Sequence, residues 1–226
     1  MAQDPKKRQK AVQRKAAKRK QKLAKVKPLF QMNTRALLRQ ASDWPLREVL
    51  LSKEWNKEAA LVQILIARQS SLGQIAVGVF LVDLGCLGVK NAFARLFSSY
   101  TEYQTQRQKI LSSEPFVSAD LNLAAKIIQE GIAYARQFGF EPHPDSREAM
   151  WVLGEANPSA CLDPIPLGSS EGKPFFVAGP YDNVDRIMAK LIKAVGRDGF
   201  HYLMPLAPDT EVFMDDETFE DDEGEE

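Results

Sequence analysis

The sequence predicts an α+β fold, with helices packed on one or two small antiparallel sheets. Three observations point to it. Two apolar runs, Leu61–Gln69 and residues 75–82, flank Ser70-Ser71-Leu72-Gly73-Gln74 as strands flank a hairpin turn. Residues 119–138 place Leu121, Ala124, Ala125, Ile128, Ile132 and Ala135 at helical spacing. Gly and Pro clusters divide the remainder into short helical and short apolar segments.

The elements follow in order. Asp4-Pro5 has the form of a helix start, with Asp4 as N-cap and Pro5 at the first helical position. Residues 5–27 are rich in Lys, Arg, Gln and Ala, and Pro28 supplies the stop. Apart from Ala, only Val12, Leu23 and Val26 are apolar there, so no wide stripe forms. Mutual repulsion of the bases weakens such a helix. Residues 1–28 are therefore expected to be helical or disordered, ordering on an anionic partner. Residues 34–40 and 44–51 read as short helices around Ser42-Asp43-Trp44-Pro45. The run 75–82 is apolar enough throughout to be a central strand. Gly85 and Gly88 punctuate a tight loop, and residues 90–103 read as a helix.

Ser118-Ala119-Asp120 caps the helix at 119–138, which Gly139 ends. The loop Phe140-Glu141-Pro142-His143-Pro144-Asp145 is stiffened by two prolines and leads to a helix over 146–155. Residues 165–168 and 174–178 suggest a second hairpin around Ser169-Ser170-Glu171-Gly172. Gly179-Pro180-Tyr181-Asp182-Asn183 opens a last helix over 184–195, closed by Gly196, and residues 200–203 add a short strand. The body, residues 29–208, has a size that one compact domain or two small lobes would fill. Residues 209–226 read as an acidic disordered tail.

Charge is sorted along this chain. Residues 1–27 hold twelve bases (Lys6, Lys7, Arg8, Lys10, Arg14, Lys15, Lys18, Arg19, Lys20, Lys22, Lys25 and Lys27) against one acid, Asp4. Residues 209–226 hold eleven acids and no base. Taking both ends from the totals of 30 and 30 leaves 18 bases and 18 acids in the body. A net charge of zero thus conceals a basic arm and an acidic tail, a pattern that bears on partners more than on chemistry.

Composition excludes several classes. The two cysteines, Cys86 and Cys161, form no framework and no metal-type pair, which points to a reducing, cytoplasmic setting. The basic start lacks the apolar region of a secretory signal. The run 75–89 contains Asp83 and falls short of the roughly 20 apolar residues a membrane helix needs. No Gly-rich phosphate fingerprint or nucleophile elbow is present, and no cofactor or metal is expected.

Three segments are candidates for chemistry. In Val82-Asp83-Leu84-Gly85-Cys86, an apolar strand ends in a carboxylate and a thiol. Asp83 could serve as a ligand or general base, and Cys86 as a nucleophile if Lys90 or a helix N-terminus lowered its pKa. The plainer reading makes Asp83 a loop cap and Cys86 a small core residue. His143, between two prolines, would complete an acid–base set with them if the fold brings the three together. Otherwise it is a turn residue before a helix capped by Asp145 or Ser146. His201 reads as part of a strand. Backbone N–H groups at Gly179–Asn183 could meet a phosphate, although Asp182 opposes an anion.

The stretch Gly78-Val-Phe-Leu-Val-Asp-Leu-Gly-Cys-Leu-Gly-Val-Lys-Asn-Ala92 resembles a recurring segment of an uncharacterised bacterial family. So do Phe138-Gly-Phe-Glu-Pro-His-Pro-Asp145 and Phe176-Val-Ala-Gly-Pro-Tyr-Asp182. The resemblance spans most of residues 45–203 and implies no activity.

Three functions remain in view. The first is a binding protein whose arm displaces counterions from RNA, ribosomal RNA included, with DNA as the neighbouring case. The arm has no aromatic residue, so it offers no base stacking. The second is a hydrolase or nuclease-like enzyme using Asp83, Cys86 and His143. The third is a protein-interaction module with charged ends that serve solubility. The scarcity of His and Cys favours binding over catalysis. The tail would compete with a polyanion for the arm or remain a solvated end; Phe213, Met214 and Phe219 lie among its acids.

Overall fold

The structure, a computed structural model, describes residues 34–204, so the basic arm at 1–28 and the acidic tail at 209–226 lie outside the described residues. The fold is α+β. Helix α1 (residues 34–40) leads through a short 3-10 turn into strand β1 (Leu46–Ser52). Strands β2 (Leu61–Gln69), β3 (Ile75–Asp83) and β4 (Gly88–Phe97) follow as a meander. Helix α2 (Tyr100–Leu111) and strand β5 (Phe116–Ser118) complete a five-stranded antiparallel sheet in the order β4-β3-β2-β1-β5. Then come α3 (Leu121–Gln137), α4 (Ser146–Ala149) with a 3-10 turn Met150–Leu153, β6 (Phe175–Val177), α5 (Val184–Val195) and β7 (His201–Leu203).

Alternation within each strand divides the core between two faces. Val62, Ile64, Ile66, Phe80 and Val82 face the layer built by α3, α4 and the 3-10 turn. Leu65, Ala67, Ile75, Val77 and Val79 face the other way, where Phe97 and Tyr103 close the opposite cluster. Strand β3 is thus covered on both sides, which accounts for its unbroken apolar run. Helix α2 is tied to β1 because Glu48 accepts from Arg107 Nε at 3.0 Å and from the Tyr103 hydroxyl.

Two segments differ from the sequence expectation. Residues 44–51 and 90–103 read as helices from the sequence, yet most of each is strand: β1 pairs with β2, and β4 pairs with β3. Burial in β4 alternates from Ala92 to Leu96, a period the local propensity concealed. Long-range pairing overrode helix propensity in both. The expected second hairpin is also absent. Ser169–Lys173 does form a turn, but β6 pairs parallel to β7, and α5 provides the crossover that parallel strands require.

Helix α3 lies close on the sheet. A Cβ on its Gly131 would sit 2.8 Å from Val82 Cγ1, and one on Gly88 would sit 2.8 Å from Ala135 Cβ. Gly88 also has φ +67°, a conformation that favours glycine. The 3-10 turn is held differently. Buried Arg68 donates to Val152 O at 2.6 Å, Trp44 O at 2.7 Å and Leu153 O at 3.0 Å. A guanidinium satisfied by three carbonyls fastens the turn and the entry to β1 onto β2. Burial lowers its pKa, opposed by Asp43 and Glu155.

Arg68→Ala would leave three carbonyls without their charged donor. At ~1–3 kcal/mol for each buried group, the variant is expected to lose about 3 kcal/mol or more in urea unfolding. A loss below about 1 kcal/mol would contradict the clasp.

Candidate functional site

The β3–β4 connection brings the candidate chemical groups closest together, and its hydrogen bonds define their roles. Asp83 Oδ1 accepts from the backbone N–H of Cys86 at 2.8 Å and of Leu87 at 3.1 Å. That makes Asp83 the cap of its own loop. It is only 6% exposed, and burial raises its pKa, against the lowering effect of the two N–H groups and Lys90. The loop is also stitched to the C-terminal part: Gly85 O accepts from Phe175 N at 2.9 Å, and Leu84 O from Gly168 N at 2.8 Å.

Cys86 is fully buried among Leu87, Phe138, Phe140, Phe176, Leu191 and Phe200. Burial, and then the nearby Asp83 charge, push its thiol well above the ordinary range. Such a group packs as a small apolar residue and is poorly suited to nucleophilic attack at neutral pH. Cys161 is the other free thiol and is half-buried.

His143 lies one backbone hydrogen bond from β4, donating its N–H to Val89 O at 2.9 Å. Its Nδ1 accepts from Asp145 N at 3.3 Å, and its ring lines a groove that neither Asp83 nor Cys86 lines. Among the described residues His143 shares no hydrogen bond with either group. His143 is therefore linked to β4 through Val89, and the three residues do not form a hydrogen-bonded constellation. Asp145 occupies the N-cap position of α4 without a side-chain cap.

The groove, of about 910 Å³, runs between α3 and α4. Ala125, Ile128, Ile132, Met150 and Leu153 supply apolar lining; Arg136, Glu141, His143 and Arg147 add polar groups. Arg136 and Glu141 are paired at 3.3 Å. Lined in this way, the groove offers shape and apolar area with little net charge.

Lys90 on β4 joins Asp182 at 2.7 Å, with side chains only 18% and 10% exposed. Asp182 Oδ2 also accepts from Gly179 N at 2.8 Å, and Asn183 Oδ1 caps α5 by accepting from Arg186 N at 3.0 Å. The Gly179–Asn183 turn therefore spends a donor on its own acid, and no anion site is built there. His201 sits in β7, its Nε2 3.3 Å from Glu171 Oε2. The three segments singled out by resemblance meet here: Cys86, Phe138, Phe140 and Phe176 share one cluster, and Lys90 clasps Asp182.

The twelve candidate bases between Lys6 and Lys27 lie outside the described residues. What sequence reading missed is the surface at the start of the described chain. Arg35 and Arg39 of α1 lie over the ring of Trp151, 5.8 and 5.2 Å from its centroid. Their i,i+4 spacing just beyond the basic arm was the one signal available. Among the described residues, no group of three or more His, Cys, Asp or Glu could hold a metal, and no helix is long and apolar enough to cross a membrane. The chain matches no family model, no curated protein and no solved structure.

The Asp83 proton makes a pH test. Burial favours its neutral form, so the folded chain keeps the proton to higher pH than the unfolded chain. The resulting stability is complete below the unfolded value of about 4 and is lost as pH rises through the raised folded value. Asp83→Asn keeps an acceptor for both N–H groups and removes the titration; its stability is expected to fall less than that of the parent over this interval. Asp83→Leu leaves two buried donors unpaired, at about 2–4 kcal/mol, throughout. Urea midpoints between acid and neutral pH check both, and superimposable parent and Asn profiles would contradict the assignment.

Proposed function

We propose that this is a binding protein that contacts RNA through its basic N-terminal arm. The sorting of charge carries the reading: twelve bases against one acid in residues 1–27, on a body balanced at 18 and 18. A segment this dense in Lys and Arg neutralises phosphates and releases their counterions, giving affinity with little sequence preference. The α+β body then supplies a folded surface for positioning, with the groove between α3 and α4 as its apolar recess. Docking on ribosomal RNA fits such an arm, as does a cytoplasmic setting for a chain with two free thiols.

The contacts of Asp83 and Cys86 favour binding over the enzyme reading. The carboxylate is occupied as a loop cap, and the thiol is buried and held protonated. Of that set, His143 lines the groove between α3 and α4.

RNA binding measured across a salt series, on the full chain and on residues 28–226, tests the proposal. If about six to eight arm bases meet phosphate, a roughly fourfold rise in salt weakens binding to single-stranded RNA by roughly 300- to 2,000-fold. Residues 28–226 are expected to lose this salt-dependent binding. Equal affinity of the two chains, or no binding by either at low salt, would remove the arm from the function.

A further inference from the structure

We infer that Arg35 and Arg39 over Trp151 form a stacking platform for the bases of single-stranded RNA. The inference rests on the reading that the arm grips RNA phosphates, and it names what the body adds to that grip.

The arm ends at Pro28 and contains no aromatic residue. A short distance on, α1 presents Arg35 and Arg39 one turn apart, both guanidinium groups over one indole ring. Helix α1 is anchored by Leu38, which is buried in the main core, with Ala41 of the following turn buried beside it. Trp151 belongs to the turn that Arg68 fastens to the sheet, and it packs against that core. The platform is thus fixed from below on both of its elements.

The two arginines differ in their use. Arg35 pairs with Glu148 at 2.8 Å, which holds its guanidinium in place. Arg39 is exposed, and among the described residues its guanidinium has no carboxylate partner. The Arg39 guanidinium, 5.2 Å from the indole centroid on an exposed side chain, is a planar cation within reach of solvent. Bases stack on such a plane, and every base has a flat face, so the contact tolerates any sequence. Preorganisation by Trp151 reduces the side-chain entropy lost on binding. Glu148 and Asp43 nearly balance the local charge, so this surface adds little to phosphate affinity. It adds recognition of unpaired bases, which a duplex keeps stacked and a bare polyphosphate lacks.

The discriminating experiment compares single-stranded oligouridylate with inorganic polyphosphate of equal charge. It uses the full-length chain, Arg39→Gln and Trp151→Leu. The full chain is expected to prefer the oligonucleotide by about tenfold, the scale of one stacked base. Both variants are expected to lose that preference and to bind polyphosphate as the parent does. Arg39 is exposed, so Arg39→Gln carries the comparison if Trp151→Leu does not fold. Equal affinity of the parent for both ligands, or an undiminished preference in Arg39→Gln, overturns the platform while leaving the arm intact. Failure of the parent to bind either ligand at low salt overturns the arm reading and the platform with it.

Discussion

The close seating of α3 on the sheet is the contact from which the rest of the body is arranged. Gly131 lets the helix rest on Val82, and Gly88 accommodates Ala135 at the turn into β4. A side chain at either position would push the helix outward by more than an interior packed at crystal-like density tolerates. With α3 in place, its C-terminal end delivers Phe138 and Phe140 to the cluster that also takes Cys86, Phe176, Leu191 and Phe200. That cluster attaches the β6-α5-β7 unit to the sheet, and Lys90 with Asp182 closes the same seam by charge. The groove between α3 and α4 is the space left when both helices are set by the sheet beneath them.

Continuous apolar runs and helix caps made part of the fold legible in the sequence. β2 occupies the expected residues, and α5 spans 184–195 as its Asn183 cap and Gly196 stop indicate. The hairpin turn at Ser70–Gln74 closes as expected, with Ser70 N–H donating to Gln74 O. β1 and β4 were not legible, because Arg47, Glu48, Leu50, Lys90, Ala92 and Ala94 favour helix locally and become strand only through neighbours distant in sequence. The short β5, three residues paired to β1, is likewise created by its partner. The parallel pairing of β6 with β7 depends on a crossover that a turn motif at Ser169–Lys173 cannot announce.

The candidate site shows the same division. Asp83 as a loop cap was readable from an acid at a strand end followed by Gly85, and the structure adds the two N–H groups it serves. The place of His143 was not readable, since its backbone bond to Val89 joins residues more than 50 apart in sequence. The stacking of Arg35 and Arg39 on Trp151 joins segments more than a hundred residues apart, and their helical spacing said nothing about what lay beneath them. Arg68 was hidden for a further reason: a base in an apolar strand reads as surface until its three carbonyl partners are known.

In the proposed reading, phosphate contact falls to the arm, base contact to Arg35, Arg39 and Trp151, and structural roles to the buried acid and thiol. Its central claim is where RNA touches the chain. Lysine acetylation footprinting with mass spectrometry, on the full chain with and without single-stranded RNA, asks this directly. Protection confined to Lys6, Lys7, Lys10, Lys15, Lys18, Lys20, Lys22, Lys25 and Lys27, with Lys53, Lys109 and Lys193 as reactive as in the free protein, is the predicted result. Protection centred on the body lysines, or no protection at a concentration of RNA that saturates binding, would contradict it.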